Sequence, residues 1–139
     1  MAKLPEDVLE AINNRGNMKM LATIDKGKKV NVVPIGSVRA LDEEMLAFAN
    51  CVPNSRTKQN LEATRKAAVA VFQPPFEGFQ IKGTFLKWET SGPLFEEMSA
   101  EINETMQKYN LPGKVEAVGK IKVTEAYALS IPIAGEKLA

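Results

Sequence analysis

The sequence predicts a mainly β, single-domain protein over residues 1–139: a small closed or nearly closed barrel of about six antiparallel strands, with three helices at its ends. Three observations lead there. Short apolar-rich segments, bounded by turn clusters such as Asp25-Lys26-Gly27-Lys28 and Asp42-Glu43-Glu44, read as strands. Three other segments place apolar residues at helical spacing or carry helix-opening residues. The chain is long enough for one core and short for a second, and it contains no repeat, low-complexity tract or linker.

The elements follow in order. Pro5 suits the first turn of a helix, Glu6 and Asp7 complement its positive end, and Leu4, Val8 and Ile12 fall on one face before Gly16 closes it. Strands over 20–24, 30–41 and 45–50 read as an antiparallel meander. Pro34 deletes a ladder donor and Gly36 invites a bulge, so a break or an edge is expected around 33–36. A short helix over 57–65 precedes the apolar run 67–72, which reads as a central strand buried on both faces. Phe79, Ile81 and Phe85 mark one face of the next strand, with Gln80, Lys82 and Thr84 on the other. Ser91 and Pro93 open the longest helix. Its stripe is Phe95, Met98, Ile102, Met106 and Tyr109, while Glu96, Glu97, Glu101 and Glu104 are expected to face water. Pro112 and Gly113 end it, and a last strand over 118–131 completes the set.

Composition removes several chemistries. A formal charge of +1 gives no reason to expect nucleic acid or an acidic membrane as partner. The chain has no histidine, so Ser-His and Cys-His nucleophilic pairs, imidazole acid–base catalysis and His-based metal sites are excluded. Cys51 is the only cysteine, which excludes an intrachain disulfide and a redox Cys pair. Any redox chemistry must then be carried by an organic cofactor. The N-terminal residues lack the apolar core of a signal peptide and no segment is long enough to cross a bilayer, so a cytoplasmic location is expected.

The stretch Asn54-Ser55-Arg56-Thr57-Lys58-Gln59-Asn60-Leu61 is the strongest local signal. It puts hydroxyls and a guanidinium where a strand turns into a short helix. The first amides of a helix have no intrahelical acceptor and meet an anion together with the positive end of the dipole. Ser55 and Thr57 add hydroxyls, and Arg56 adds a planar fork suited to phosphate oxygens. The same residues also fit a plain alternative, with Asn54 or Ser55 an ordinary N-cap and Arg56 a solvated charge.

The order of an N-terminal helix, Met20-Leu21-Ala22-Thr23-Ile24, Val30-Asn31-Val32-Val33-Pro34-Ile35-Gly36, Arg56-Thr57-Lys58-Gln59-Asn60-Leu61 and Gly78-Phe79-Gln80-Ile81-Lys82-Gly83 resembles the FMN-binding split-barrel proteins related to pyridoxamine 5'-phosphate oxidase. Small FMN-binding and flavoredoxin-like members are the nearest in pattern. The likeness runs from about residue 18 to about residue 90 and more weakly to the last strand. It implies a split β-barrel that binds FMN. Laid on matching positions, it implies that Arg56 and Thr57 hold the flavin phosphate and that Asn60 braces that turn. It implies that Ala49, Asn50 and Cys51 line the flavin ring, with Val33 and Pro34 approaching from the other side. Gln80 matches a glutamine near the flavin or its phosphate, often contributed across a dimer interface. Each position has a structural alternative: Val33 and Pro34 as barrel-shaping residues, Asn60 as a cap, Gln80 as a solvent-facing residue, Cys51 as a small packed side chain.

Magnitudes bear on the oligomeric state. A few charge-assisted hydrogen bonds at about 1.5–3 kcal/mol each, plus roughly 0.3–1 from the dipole, supply only part of the about 12 kcal/mol that nanomolar binding needs. The ring must therefore be buried, and a homodimer with two equivalent flavin sites at its interface is expected from this argument and mainly from the resemblance.

Departures matter too. Pyridoxamine-phosphate oxidases proper use arginine and histidine in a C-terminal segment to hold substrate. The last ten residues here contain neither, which argues against vitamin B6 oxidation. No side chain stands out as a proton donor or nucleophile, so no catalytic residue is assigned. Three readings remain: an FMN flavoprotein that accepts and donates electrons, as a carrier or a small flavin-dependent oxidoreductase passing them to an unidentified redox partner; an F420-binding oxidoreductase of the same fold; and a non-catalytic anion-binding or dimer module.

Overall fold

The computed structural model describes residues 2–130 and 132–139. Its elements are α1 (Glu6–Asn13), β1 (Met18–Ile24), β2 (Val30–Pro34), β3 (Arg39–Ala40), β4 (Met45–Asn50), α2 (Arg56–Thr64), β5 (Lys66–Gln73), β6 (Glu77–Glu89), α3 (Pro93–Lys108) and β7 (Ala117–Ala128). The seven strands form one sheet in the order β2-β1-β5-β6-β7-β4-β3, with every neighbouring pair antiparallel.

Sequence alternation explains which face is inside. On β1 Leu21 and Thr23 are buried while Met18, Met20 and Ala22 are exposed or half-exposed, and on β5 Val69 and Val71 are buried between half-exposed Ala68 and Ala70. Phe48, Phe79, Ile81, Phe85, Ile121 and Val123 complete the inner wall, and Val8 and Ile12 of α1 pack into the same core. A smaller cluster, Ala47, Ala49, Met98, Val115 and Val118, lies where α3 covers β4 and β7. The long strands β6 and β7 bend together at register shifts between Lys82/Gly83 and Phe85/Lys87. Gly83 is required there, because a Cβ would stand 2.5 Å from Ile121 Cγ2 and from the Lys122 carbonyl oxygen.

Four expectations are corrected. Residues 30–41 are not one strand of a meander. The chain leaves β2 at Pro34, crosses through residues 35–38, and re-enters the sheet as β3 at the opposite edge. The break falls where Pro34 and Gly36 placed it: Ile35 N still donates to Lys19 O at 3.0 Å, and Val38 N turns back to Ile35 O. This split raises the strand count to seven against the expected six or so, and leaves β2 and β3 as separate ends of the sheet order. The run 67–72 is buried on one face only, with Phe72 48% exposed. At the end of the longest helix Tyr109 caps the C-terminus and is 65% exposed, so it leaves the apolar stripe. The expected last strand ends at Ala128, and its predicted final residue, Ile131, lies outside the described residues.

Candidate functional site at the start of helix α2

β4 ends at Asn50, and five residues later Ser55 caps α2. The cap is well made. Ser55 Oγ accepts from Lys58 N at 3.1 Å and donates to Asn50 Oδ1 at 3.3 Å, tying the last residue of β4 to the first turn of the helix. Asn50, itself buried, donates through Nδ2 to Val52 O at 3.2 Å, and Gln59 Nε2 reaches Asn54 O at 2.9 Å. Asn54 takes a left-handed conformation with φ 53°, which an asparagine tolerates.

The rest of α2 is pinned to β1. Asn60, 2% exposed, donates from Nδ2 to Thr23 Oγ1 at 3.0 Å, and Thr64 Oγ1 donates to Ile24 O at 2.9 Å. Thr57 is buried and accepts from Asn31 Nδ2 at 3.4 Å, so its own hydroxyl proton stays available. The amides of Arg56 and Thr57, at the first two helical positions, have no intrahelical acceptor. The Arg56 side chain is exposed and forms none of the ion pairs among the described residues. Ser55 is thus the ordinary N-cap of the plain alternative, while two amides, one hydroxyl and one guanidinium remain free for an anion.

Beside this turn runs a cleft of about 410 Å³. Seven of the ten expected site residues line it: Val33 and Pro34 from β2, Ala49, Asn50 and Cys51 from the end of β4, and Ser55 and Thr57 from α2. Arg56 sits at the same helix turn without lining the cleft, and Asn60 lies beneath it against β1. Gln80 is elsewhere in this chain. It is half-buried on the outer face of the sheet, with Ala70 and Tyr127 as its cross-strand neighbours. The Cys51 thiol is pushed up from its ordinary value by burial and by the nearby Glu116 carboxylate, which keeps it neutral and a poor nucleophile.

The sequence reading missed the wall opposite the turn. Ser37 in the crossover accepts from Ala49 N at 2.9 Å and lines the cleft together with Ile102, Met106 and Leu111. Ile102 and Met106 carried the signal of a core stripe; they are half-buried because α3 shields the cleft instead of burying its whole stripe. Glu101 corrects another expectation. It does not face open water but accepts from Arg15 Nη2 at 2.6 Å and Arg39 Nη1 at 3.2 Å. Among the described residues no group of His, Cys, Asp and Glu is placed to hold a metal, and no helix is long and apolar enough to cross a membrane.

The family model described as pyridoxamine 5'-phosphate oxidase matches residues 4–129, most of the chain. The chain belongs to the pyridoxamine 5'-phosphate oxidase family. Solved structures of the same fold carry different ligands in their names. An FMN-binding protein from Syntrophomonas wolfei superposes with a TM-score of 0.76 at 20% identity, over 90% of this chain and 88% of that one. An F420 reductase gives 0.64 at 17% identity, over 88% and 98%. The heme storage protein HutZ from Vibrio cholerae gives 0.63 at 14% identity, over 90% and 94%. These likenesses are to the fold of the pyridoxamine 5'-phosphate oxidase family and do not by themselves select a ligand. No curated relative matches the sequence.

Proposed function

We propose that this chain is an FMN flavoprotein that accepts and passes on electrons. The observation that carries the reading is the conjunction at α2: two free helix-start amides and the Thr57 hydroxyl adjoin an apolar-walled cleft, and the exposed Arg56 side chain leaves the same helix turn. The donor set fits a phosphate monoester, and a cleft of about 410 Å³ is within the usual range for a small cofactor. Val33, Pro34, Ala49 and Met106 offer apolar surface to a planar ring, and the Ala49–Cys51 backbone offers polar groups to its edge. Bound there, the flavin ring would supply the redox chemistry, and the protein would bind, orient and shield it.

The absence of histidine favours a flavin over heme, because the commonest axial ligand is missing and the cleft's only thiol is held neutral. A deazaflavin such as F420 shares the phosphate chemistry and is the second reading, supported by the fold of the F420 reductase.

A homodimer with the flavin at its interface completes the proposal. The outer face of β2, β1 and β5 is apolar and open: Val30 is 81% exposed, Met18 65% and Val32 60%, around the small residues Ala22, Ala68 and Ala70. The register aligns Pro34, Met20, Ala70 and Gln80 in one row, so a second copy seated here would bring Gln80 near the row that ends at the cleft residue Pro34. Monomers rarely leave such a patch open.

The visible absorption spectrum of protein purified without added flavin, with mass identification of whatever denaturation releases, tests the cofactor. A yellow preparation releasing FMN supports the reading. Released F420 moves it to the deazaflavin, and a colourless protein that binds neither leaves the non-catalytic module.

A further inference from the structure

A second cavity, of about 560 Å³, lies beside the cleft and shares Gly36, Ser37, Ile102 and Met106 with it. One of its lining residues is Lys19, at an inward position of β1 and only 3% exposed. Its ammonium donates to Val38 O at 3.0 Å, which leaves two of its three N–H donors without a partner among the described residues. Lys19 forms none of the ion pairs there, although a buried ammonium without a counter-charge is costly. Burial, and then the charges of Arg39 and Arg15, lower its pKa from the ordinary lysine value.

The surroundings carry excess positive charge. Arg15, Lys19 and Arg39 line the cavity against a single carboxylate, Glu101. Arg39 is committed: Nη1 and Nη2 both donate to Glu101, at 3.2 and 3.4 Å. Arg15 is 73% exposed and already gives Nη2 to Glu101, so the buried donors that remain open are the pair on Lys19, flanked by the apolar surfaces of Val38, Ile102 and Met106.

From this geometry we infer that the cavity is a binding site for a small organic carboxylate. The two carboxylate oxygens take the open N–H groups of Lys19, Arg39 adds its field, and an apolar body lies against Ile102 and Met106. A phosphate would call for a free arginine fork, and neither arginine has one to offer: Arg39 gives Nη1 and Nη2 to Glu101, and Arg15 gives it Nη2, which both of its forks share. The shared walls place such a ligand next to the cleft, where it would be a redox substrate or a gate on access. That role rests on the flavin reading; the anion site does not.

Amide-resolved NMR of the full chain, titrated with benzoate and in parallel with benzyl alcohol, tests the site without any flavin. Benzoate is expected to give saturable shifts confined to residues 36–40 and 101–106, with benzyl alcohol at least about tenfold weaker. Lys19→Met should abolish saturation. Arg39→Gln should weaken it by about tenfold, and it covers the case in which the Lys19 variant does not fold. No saturation by benzoate up to about 20 mM, equal binding of benzyl alcohol, or benzoate binding unchanged in a folded Lys19→Met or Arg39→Gln variant would overturn the inference. A protein that takes benzoate here but never binds FMN would refute the flavin reading and leave the carboxylate site standing.

Discussion

Asn60 Nδ2 donates to Thr23 Oγ1 at 3.0 Å across the interface between α2 and β1, with both side chains buried. The bond fixes how far the start of α2 stands from the strand that the cleft wall pairs with. Asn60 therefore ties α2 to β1, and the cap is Ser55. Asn60→Leu would leave the buried Thr23 hydroxyl oxygen without its donor, and should cost about 1–3 kcal/mol. Urea denaturation measures it, and a midpoint unchanged from the parent protein would remove the brace.

The outer sheet face leads to a second expectation. Ala70 lies mid-row between Met20 and Gln80, so Ala70→Arg would bury an unpaired charge in any contact between copies. Sedimentation should show the parent chain as a dimer and the variant as a monomer with an unchanged far-UV spectrum. A parent chain that sediments as a monomer at tens of micromolar would refute the dimer and return Gln80 to solvent.

Much of this was legible in advance. Pro34 and Gly36 located the break because one removes a ladder donor and the other relaxes the backbone, and Ser55 to Thr57 located the helix start through cap chemistry. Such signals are local. The destination of β3 was not legible, because a two-residue strand has no periodicity and its partner is chosen by tertiary packing. The run 67–72 read as doubly buried because apolarity records that a face is covered without recording by what. Glu101 was misplaced for a related reason, and Lys19 carried no signal at all: polarity predicts exposure, and only the tertiary fold brings Arg15, Arg39 and Glu101 around Lys19.

The Glu101 cluster predicts a pH dependence. Burial raises the Glu101 pKa, but the hydrogen bond and charge of Arg39 and the charge of Arg15 outweigh it and hold the carboxyl below its usual 4.5. The unfolded chain then takes up the proton first as pH falls. The ion pairs' contribution is fully present above about pH 4.5 and is lost as pH drops through the lower, folded value. Glu101→Gln should lower stability by about 1 kcal/mol at neutral pH, and the difference from the parent should shrink in acid. Thermal melts at pH 7 and at pH 3 check this; a difference that stays constant or grows in acid would contradict it.

The central claim is that the first turn of α2 holds the phosphate of a flavin. The most direct measurement compares FMN and riboflavin affinities for the parent chain and for the double variant Arg56→Ala, Thr57→Ala. Losing the Arg56 and Thr57 contacts, at about 1.5–3 kcal/mol for each charge-assisted hydrogen bond, should weaken FMN by a hundredfold or more. Riboflavin, which lacks the phosphate, should change by less than about threefold. Equal losses for the two ligands, or undiminished FMN binding in a folded double variant, would contradict the account.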